Sequence, residues 1–218
     1  MNSTELTAPI IAVARHRLSI DGQGVTTLVA FHGCTLHCRY CLNAQCLRPD
    51  GVWRTVTPDD LLDEVMIDNL YFLATGGGIT FGGGEPAIRS EFIEAFCRIA
   101  PPEWHFTIET ALNVDCRHLE RLLPLIHEYF IDIKDVNPDI YKRYTGQAGQ
   151  RALDNLQWLL SHDGMADRIV VRVPHIPDFN TDEDVRHTRE YLASIGVTRI
   201  DEFTYLRRGQ QSDNVAKY

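Results

Sequence analysis

Four of the six cysteines in this 218-residue chain fall within "CTLHCRYCLNAQC", Cys34 to Cys46, directly after the apolar run "VTTLVAF". Three of them, Cys34, Cys38 and Cys41, form the pattern CxxxCxxC. Structural zinc wants four tetrahedral ligands, commonly from two CxxC-like knuckles separated by a longer spacer. The sequence has no second knuckle, because Cys97 and Cys116 stand alone within or beside helical segments. A [4Fe-4S] cluster can be held by thiolates a few residues apart on one loop, and an iron without a protein ligand is then open to a substrate. The pattern favours a cluster over zinc, for which Cys46, His37 or His32 would have to supply the fourth ligand. Cys46 has two readings, a cap on the cluster at rest or a free cysteine packed under the loop. Cys97 and Cys116 read as ordinary buried or helix-start residues.

The elements that must position this loop alternate along the chain. Strands are predicted over Val25 to Gly33, Gly78 to Gly84, His105 to Thr110, Tyr129 to Lys134, Arg168 to Ile176 and Arg199 to Leu206. One helix is predicted to start at Thr57 with Pro58 in its first turn and run to Ala74; another starts at Thr181 and stops at Gly196. "SEFIEAFCRIA", "CRHLERLLPLI" and "QRALDNLQWLLSH" are helical candidates for the remaining intervals. About six strand–helix alternations predict an α/β fold with a parallel sheet, open or part of a barrel. In such folds chemistry collects at the carboxyl ends of the strands. Cys34, Gly82 to Glu85, Glu109 with Thr110, Asp132 with Lys134, and Arg172 to His175 all fall at those ends, so they should share one rim.

Net charge is −9 and the hydrophobic fraction 44%, with basic residues dispersed along the chain. That balance suits a compact acidic domain and gives no electrostatic footprint for nucleic acid or an anionic membrane. The amino end carries no basic residues before its short apolar run, and no segment approaches a bilayer span. A cytoplasmic protein with no membrane or nucleic-acid partner is expected, and clustered cysteines there more often bind metal than form disulfides.

CxxxCxxC after the first predicted strand, with Tyr40 before the third cysteine and "GGGEP" ending the second, resembles the radical S-adenosylmethionine (radical SAM) superfamily. "DGQG" (Asp21 to Gly24), "YCLN" with Asn43, "DIK" with Asp132 and Lys134, and "RVPHIPDFN" (Arg172 to Asn180) extend the resemblance to the glycyl-radical-enzyme activating enzymes, the pyruvate formate-lyase activating enzyme group. The similarity runs from about Ser19 to Leu206. It implies a single radical SAM domain over residues 1–218, built as a partial (β/α)6 TIM-like barrel open on one side.

The resemblance implies that Cys34, Cys38 and Cys41 hold a [4Fe-4S] cluster and that S-adenosylmethionine lies against Tyr40, Asn43, Gly83, Gly84, Glu85, Glu109, Thr110, Asp132, Lys134 and Arg172. Each residue type suits a part of that ligand. Glycines allow close backbone approach, Glu85 or nearby carbonyls can accept from its ammonium, and Lys134 and Arg172 can meet its carboxylate. Tyr40 and Asn43 suit the adenine. The activases also bind a monovalent cation, here at Glu109, Thr110 and Asp132, with Glu109 where the family has a shorter aspartate. Asp178 replaces a family glycine, and Leu206 stands where a histidine is common near the adenosine.

The implied activity is reductive cleavage of S-adenosylmethionine to methionine and a 5′-deoxyadenosyl radical. That radical would take a hydrogen from a glycine of a partner glycyl radical enzyme, with a flavodoxin- or ferredoxin-like protein as electron donor. The interval from Cys46 to Gly76 lacks the cysteines of an inserted ferredoxin-like segment, so a single cluster is expected. A second reading keeps the scaffold but acts on a small molecule or another peptide. A third, from a different class, is a zinc- or cluster-stabilised binding module without catalysis.

Overall fold

A computed structural model describes residues 6–18 and 20–205. The elements run β1 (Ala8–Leu18), β2 (Val25–Phe31), β3 (Arg54–Val56), α1 (Pro58–Val65), α2 (Asn69–Thr75), β4 (Gly78–Gly83), α3 (Ser90–Ile99), β5 (His105–Thr110) and α4 (Cys116–Leu122). They continue β6 (Glu128–Asp132), α5 (Pro138–Thr145), α6 (Gln150–Leu160), α7 (Met165–Arg168), β7 (Ile169–His175), α8 (Asp182–Ser194) and β8 (Ile200–Thr204). The strands form one open eight-stranded sheet in the order β3-β1-β2-β4-β5-β6-β7-β8. From β2 to β8 every neighbouring pair is parallel, while β1 pairs antiparallel with β2 and β3. This is the partial barrel architecture, with both ends of the sheet left unjoined.

All six predicted strands form. β1 and β3 were not anticipated, and β1 lies before the Ser19 at which the family resemblance starts. β1 turns polar and half-exposed beyond Val13, without the clean apolar run of a buried parallel strand. It is a strand because β2 and β3 flank it. The predicted helix from Thr57 is also divided: α1 gives way to a 3-10 turn at Met66–Asp68 before α2. Asp68 marks the break. Its buried carboxylate takes the Arg15 guanidinium, His16 Nε2 at 2.9 Å and the Thr27 hydroxyl at 3.0 Å, which fixes this turn against β1 and β2. Both predicted starts hold, since Thr57 and Thr181 each form a capping box with the aspartate three residues on.

Strand alternation sorts the two faces of the sheet. Val29, Phe31, Ile79, Phe81, Phe106, Ile108, Tyr129, Ile131, Val171 and Val173 face the helices and join Leu61, Phe92, Phe96, Leu119, Leu156 and Leu192 in one buried cluster. Each such side chain contributes about 1.5–3 kcal/mol on burial, so this face holds the fold. The opposite face carries Leu28, Gly82, Glu109, Asp132, Arg172 and Asp201, which is why it can enclose a polar cavity. At the amino ends of the strands Asp21 ties the segment before β2 to β2 and β4. Asp21 is fully buried, accepts from Thr26 Oγ1 at 2.8 Å and from Arg17, and its carbonyl accepts from Thr80 Oγ1 at 2.6 Å. Among the described residues no helix is long and apolar enough to cross a membrane.

Candidate functional site

The cysteine loop is hung from the sheet on one side and from α5 on the other. Gly84 N donates to Phe31 O at 2.9 Å and Glu85 N to Gly33 O at 2.8 Å, joining the "GGGEP" turn to the loop's root. His37 N and Arg39 N donate to Thr145 O and Tyr144 O at 2.8 and 3.1 Å, joining its far limb to the end of α5. The glycines are required by this closeness. Gly83 has φ +101°, and a Cβ on Gly84 would lie 2.0 Å from Gly33 O and 3.2 Å from Cys46 Sγ. Asn43 Nδ2 completes the tie by donating to Gly83 O at 2.9 Å.

A cavity of about 600 Å³ opens beneath this loop, a size that accommodates a nucleoside-sized ligand. Cys34, Cys38, Cys41, Asn43, Gly83, Gly84, Glu109, Thr110, Asp132, Lys134 and Arg172 all border it. Of the expected rim, Cys34, Gly83, Gly84, Glu109, Thr110, Asp132, Lys134 and Arg172 share this cavity, while Gly82 and Val173 to His175 are not on its lining. Tyr40 and Glu85 are not on its lining. Tyr40 turns outward, its hydroxyl donating to Asp178 Oδ2 at 3.1 Å and its ring edge-on to Phe179. Glu85 is buried behind the turn, where its carboxylate accepts from Thr110 Oγ1 at 2.7 Å, Ala111 N at 3.0 Å and Ala87 N at 3.1 Å. Leu206 lies outside the described residues.

Charges inside the cavity are paired. Arg172 Nη1 meets Glu109 Oε1 at 2.7 Å from two strands away, and its guanidinium lies over the Phe130 ring of the strand between. Lys134 Nζ meets Asp132 Oδ2 at 3.0 Å and the Tyr205 hydroxyl at 2.8 Å. Burial raises the Glu109 carboxyl although Arg172 opposes it. Burial would lower Lys134, but Asp132, Tyr205 and Cys38 together hold its ammonium well above the usual lysine range. Burial also raises Glu85 against its three donors, and pushes the Cys38 thiol up to about 11. Asp132 Oδ1 is buried without a hydrogen-bond partner among the described residues. A cation or ammonium in the cavity would satisfy it.

All six cysteines are free thiols, and Cys97 and Cys116 lie away from the cavity. Among the described residues no three His, Cys, Asp or Glu side chains converge closely enough to hold a single metal ion. A [4Fe-4S] cluster asks for something else, separate thiolates for separate irons. The donor chemistry fits it: three half-buried thiols on one loop at the edge of a cavity, with backbone glycines beside them for a second ligand. The structure adds residues that the sequence reading did not name, Tyr205 with Phe203 and Asp201, and places Cys46, read there as a cap or a packed free thiol, on the same lining. Asp201 and Phe203 of β8, and Tyr205 just past its end, reach the cavity side by alternation along the chain.

A family model described as the radical SAM superfamily matches residues 28–192, and the chain belongs to that superfamily. It is a radical SAM enzyme by that membership. It is 26% identical over 197 residues to the pyruvate formate-lyase 1-activating enzyme of Escherichia coli K12, covering 88% of this chain and 78% of that one. To the pyruvate formate-lyase-activating enzyme of Clostridium pasteurianum it is 29% identical over 189 residues, covering 85% and 77%. To the (2S)-3-sulfopropanediol dehydratase activating enzyme of Klebsiella oxytoca it is 28% identical, covering 87% of this chain and 60% of that one. Among solved structures it is similar to Streptococcus suis SuiB, with a TM-score of 0.61 at 12% identity, covering 86% of this chain and 41% of that chain. Native anSMEcpe with bound AdoMet gives a TM-score of 0.56 at 17% identity, covering 80% and 49%. The chain thus spans less than half the length of these solved relatives, and the likeness to them is one of fold.

Proposed function

We propose that this chain acts as one radical SAM domain that activates a glycyl radical enzyme. The observation that carries the reading is one cavity bordered by three cysteine thiols, a glycine cradle and two part-buried ion pairs. Cys34, Cys38 and Cys41 would hold a [4Fe-4S] cluster, with the open iron toward the cavity. The chemistry supplied by the bound cluster and S-adenosylmethionine is one-electron reductive cleavage of the sulfonium, coupled to removal of a hydrogen atom from a glycine Cα of the partner.

The chain's own residues bind, orient and exclude water. Carbonyls of Gly83 and Gly84 and the unpartnered Asp132 Oδ1 are acceptors for the ammonium of the ligand. Lys134 and Arg172 are donors for its carboxylate, held in place by Asp132, Tyr205 and Glu109. Asn43 supplies a paired donor and acceptor for the base, and Tyr40 and Glu85 act from outside the lining, Tyr40 by anchoring the loop and Glu85 by bracing the turn. A monovalent cation at Glu109, Thr110 and Asp132 would have to draw Glu109 from Arg172.

The cysteines are only partly buried, within reach of a flavodoxin- or ferredoxin-like donor docked on the rim. Leu42, 68% exposed, stands at the mouth through which a partner's glycine loop would enter. The test is anaerobic. Protein reconstituted with iron and sulfide, then reduced, should release 5′-deoxyadenosine from S-adenosylmethionine, and Cys38→Ala should not. A glycyl-radical doublet on a supplied glycyl radical enzyme would support the activase assignment. Turnover without that doublet would move the reading to a small-molecule or other peptide substrate.

A further inference from the structure

Cys46 has no part in the chemistry above, yet it borders the same cavity as Cys34 and Cys41. It is 1% exposed on the 3-10 turn Ala44–Leu47. Two backbone bonds fix it there: Gly33 N donates to Cys46 O at 2.9 Å, and Cys46 N donates to Asn43 O at 2.9 Å. The first makes Cys46 a lateral neighbour of Cys34. The Leu36 amide also points at Cys34 Sγ, 3.5 Å away, and fixes the position of that sulfur. A small apolar residue would fill the Cys46 site equally well, so filling space does not explain a thiol placed on the same cavity as the other three cysteines of the loop.

We propose that Cys46 is a resolving thiol: when Cys34 carries no iron and meets peroxide, Cys46 closes a reversible Cys34–Cys46 disulfide. The Cys34 thiol first reduces hydrogen peroxide, giving Cys34 sulfenic acid and one water. Cys46 sulfur then attacks the sulfenic sulfur, forming the S–S bond and expelling the hydroxyl, which leaves with the Cys46 proton as a second water. The sum is two thiols and one peroxide to one disulfide and two waters. A dithiol reverses it. Without Cys46, a second peroxide would carry Cys34 to sulfinic acid, which a dithiol does not reverse, and a cluster position would be lost. The proposal rests on thiol placement alone and stands or falls separately from the choice of radical substrate.

The experiment uses the full chain, stripped of iron with a chelator, reduced under nitrogen and treated with hydrogen peroxide before alkylation, one equivalent for the bridge map and an excess for the sulfinic acid comparison. Trypsin separates Cys34, in peptide 18–39, from Cys46, in peptide 40–54. These peptides should be recovered joined, with fragment ions locating the bridge at Cys34 and Cys46, and dithiothreitol should restore both thiols. Cys46→Ser should yield no such bridge and several-fold more Cys34 sulfinic acid. Cys46→Ala repeats the comparison with an apolar filler, and if both variants misfold the wild-type bridge map alone decides. A bridge from Cys34 to Cys38, from Cys38 to Cys41, from Cys41 to Cys46 or between chains would overturn the proposal, as would equal sulfinic acid in wild type and a folded variant.

Discussion

The Tyr40 hydroxyl donates to Asp178 Oδ2 at 3.1 Å and so joins the cysteine loop to the turn that follows β7. Asp178 occupies a left-handed backbone position, φ +69°, where the activases carry glycine. Aspartate is among the few non-glycine residues that tolerate that conformation, and here its carboxylate gains a partner by doing so. Asp178→Ala should destabilise by about 1–2 kcal/mol and Asp178→Gly by less, because glycine loses the hydrogen bond but relieves the backbone. Urea unfolding of Tyr40→Phe, Asp178→Ala and the double variant should give a coupling of about 0.5 kcal/mol. Strictly additive losses would mean that the two residues do not act together.

Gly84→Ala tests the closeness of loop and turn. The added methyl would meet Gly33 O at 2.0 Å and Cys46 Sγ at 3.2 Å, so the cysteine loop must shift. A stability loss of about 1–3 kcal/mol is expected, together with iron and sulfide incorporation well below wild type. Full incorporation measured on the folded variant would show that the loop tolerates displacement.

Lys134→Met should cost about 1–3 kcal/mol at neutral pH, since it removes the ammonium held against Asp132, a part-buried carboxylate that retains Arg172 opposite it on the neighbouring strand. The folded-state value of Lys134 is raised, so its contribution is complete below the unfolded lysine value and is lost only as pH rises through the folded one. The stability difference between wild type and variant should accordingly be the same at pH 7 and pH 9 by urea titration. A difference that shrinks between those values would contradict the pairing.

Glu85 has the opposite dependence. Its carboxyl is raised by burial, so the folded protein holds its proton at pH values where the unfolded chain has released it. Its contribution to stability is therefore greatest at low pH and declines as pH rises from the unfolded carboxyl value toward the folded one. Glu85→Gln cannot titrate and keeps one oxygen for Thr110 and Ala87, while Ala111 N loses its acceptor at every pH alike. Relative to that variant, iron-free wild type should gain stability between pH 7 and pH 5, as measured by urea midpoints at each pH, and a loss over the same interval would reverse the assignment.

Glu109 is engaged by Arg172 at 2.7 Å, which leaves it poorly placed to serve a monovalent cation as well. Exchanging sodium for potassium should change S-adenosylmethionine binding by less than about threefold in wild type. Glu109→Asp shortens the reach to Arg172 and should make binding cation-dependent, read by equilibrium dialysis in the two salts. Strong cation dependence in wild type would show that the ion pair opens on ligand binding.

The sequence by itself determined the order of six parallel strands, the cysteine loop after the first of them and the polar residues at their ends. Those signals are local: apolar runs of strand length, a cysteine spacing, and threonine caps that begin a helix wherever it packs. It did not determine β1 or β3, whose pairing comes from neighbours distant in the chain, nor the break at Asp68, which exists because Arg15, His16 and Thr27 converge there. Only the tertiary structure decided which candidates face the cavity. Glu85 and Tyr40 carry the right chemistry but are drawn elsewhere by Thr110 and Asp178, while Tyr205 enters by alternation just past the end of β8. The pairing of Arg172 with Glu109, and the placing of Cys46 on one cavity with Cys34, likewise depend on residues brought together across strands and loops. Residue types and spacings state what a side chain can do; its hydrogen-bond partners, set by packing, decide which of those things it does.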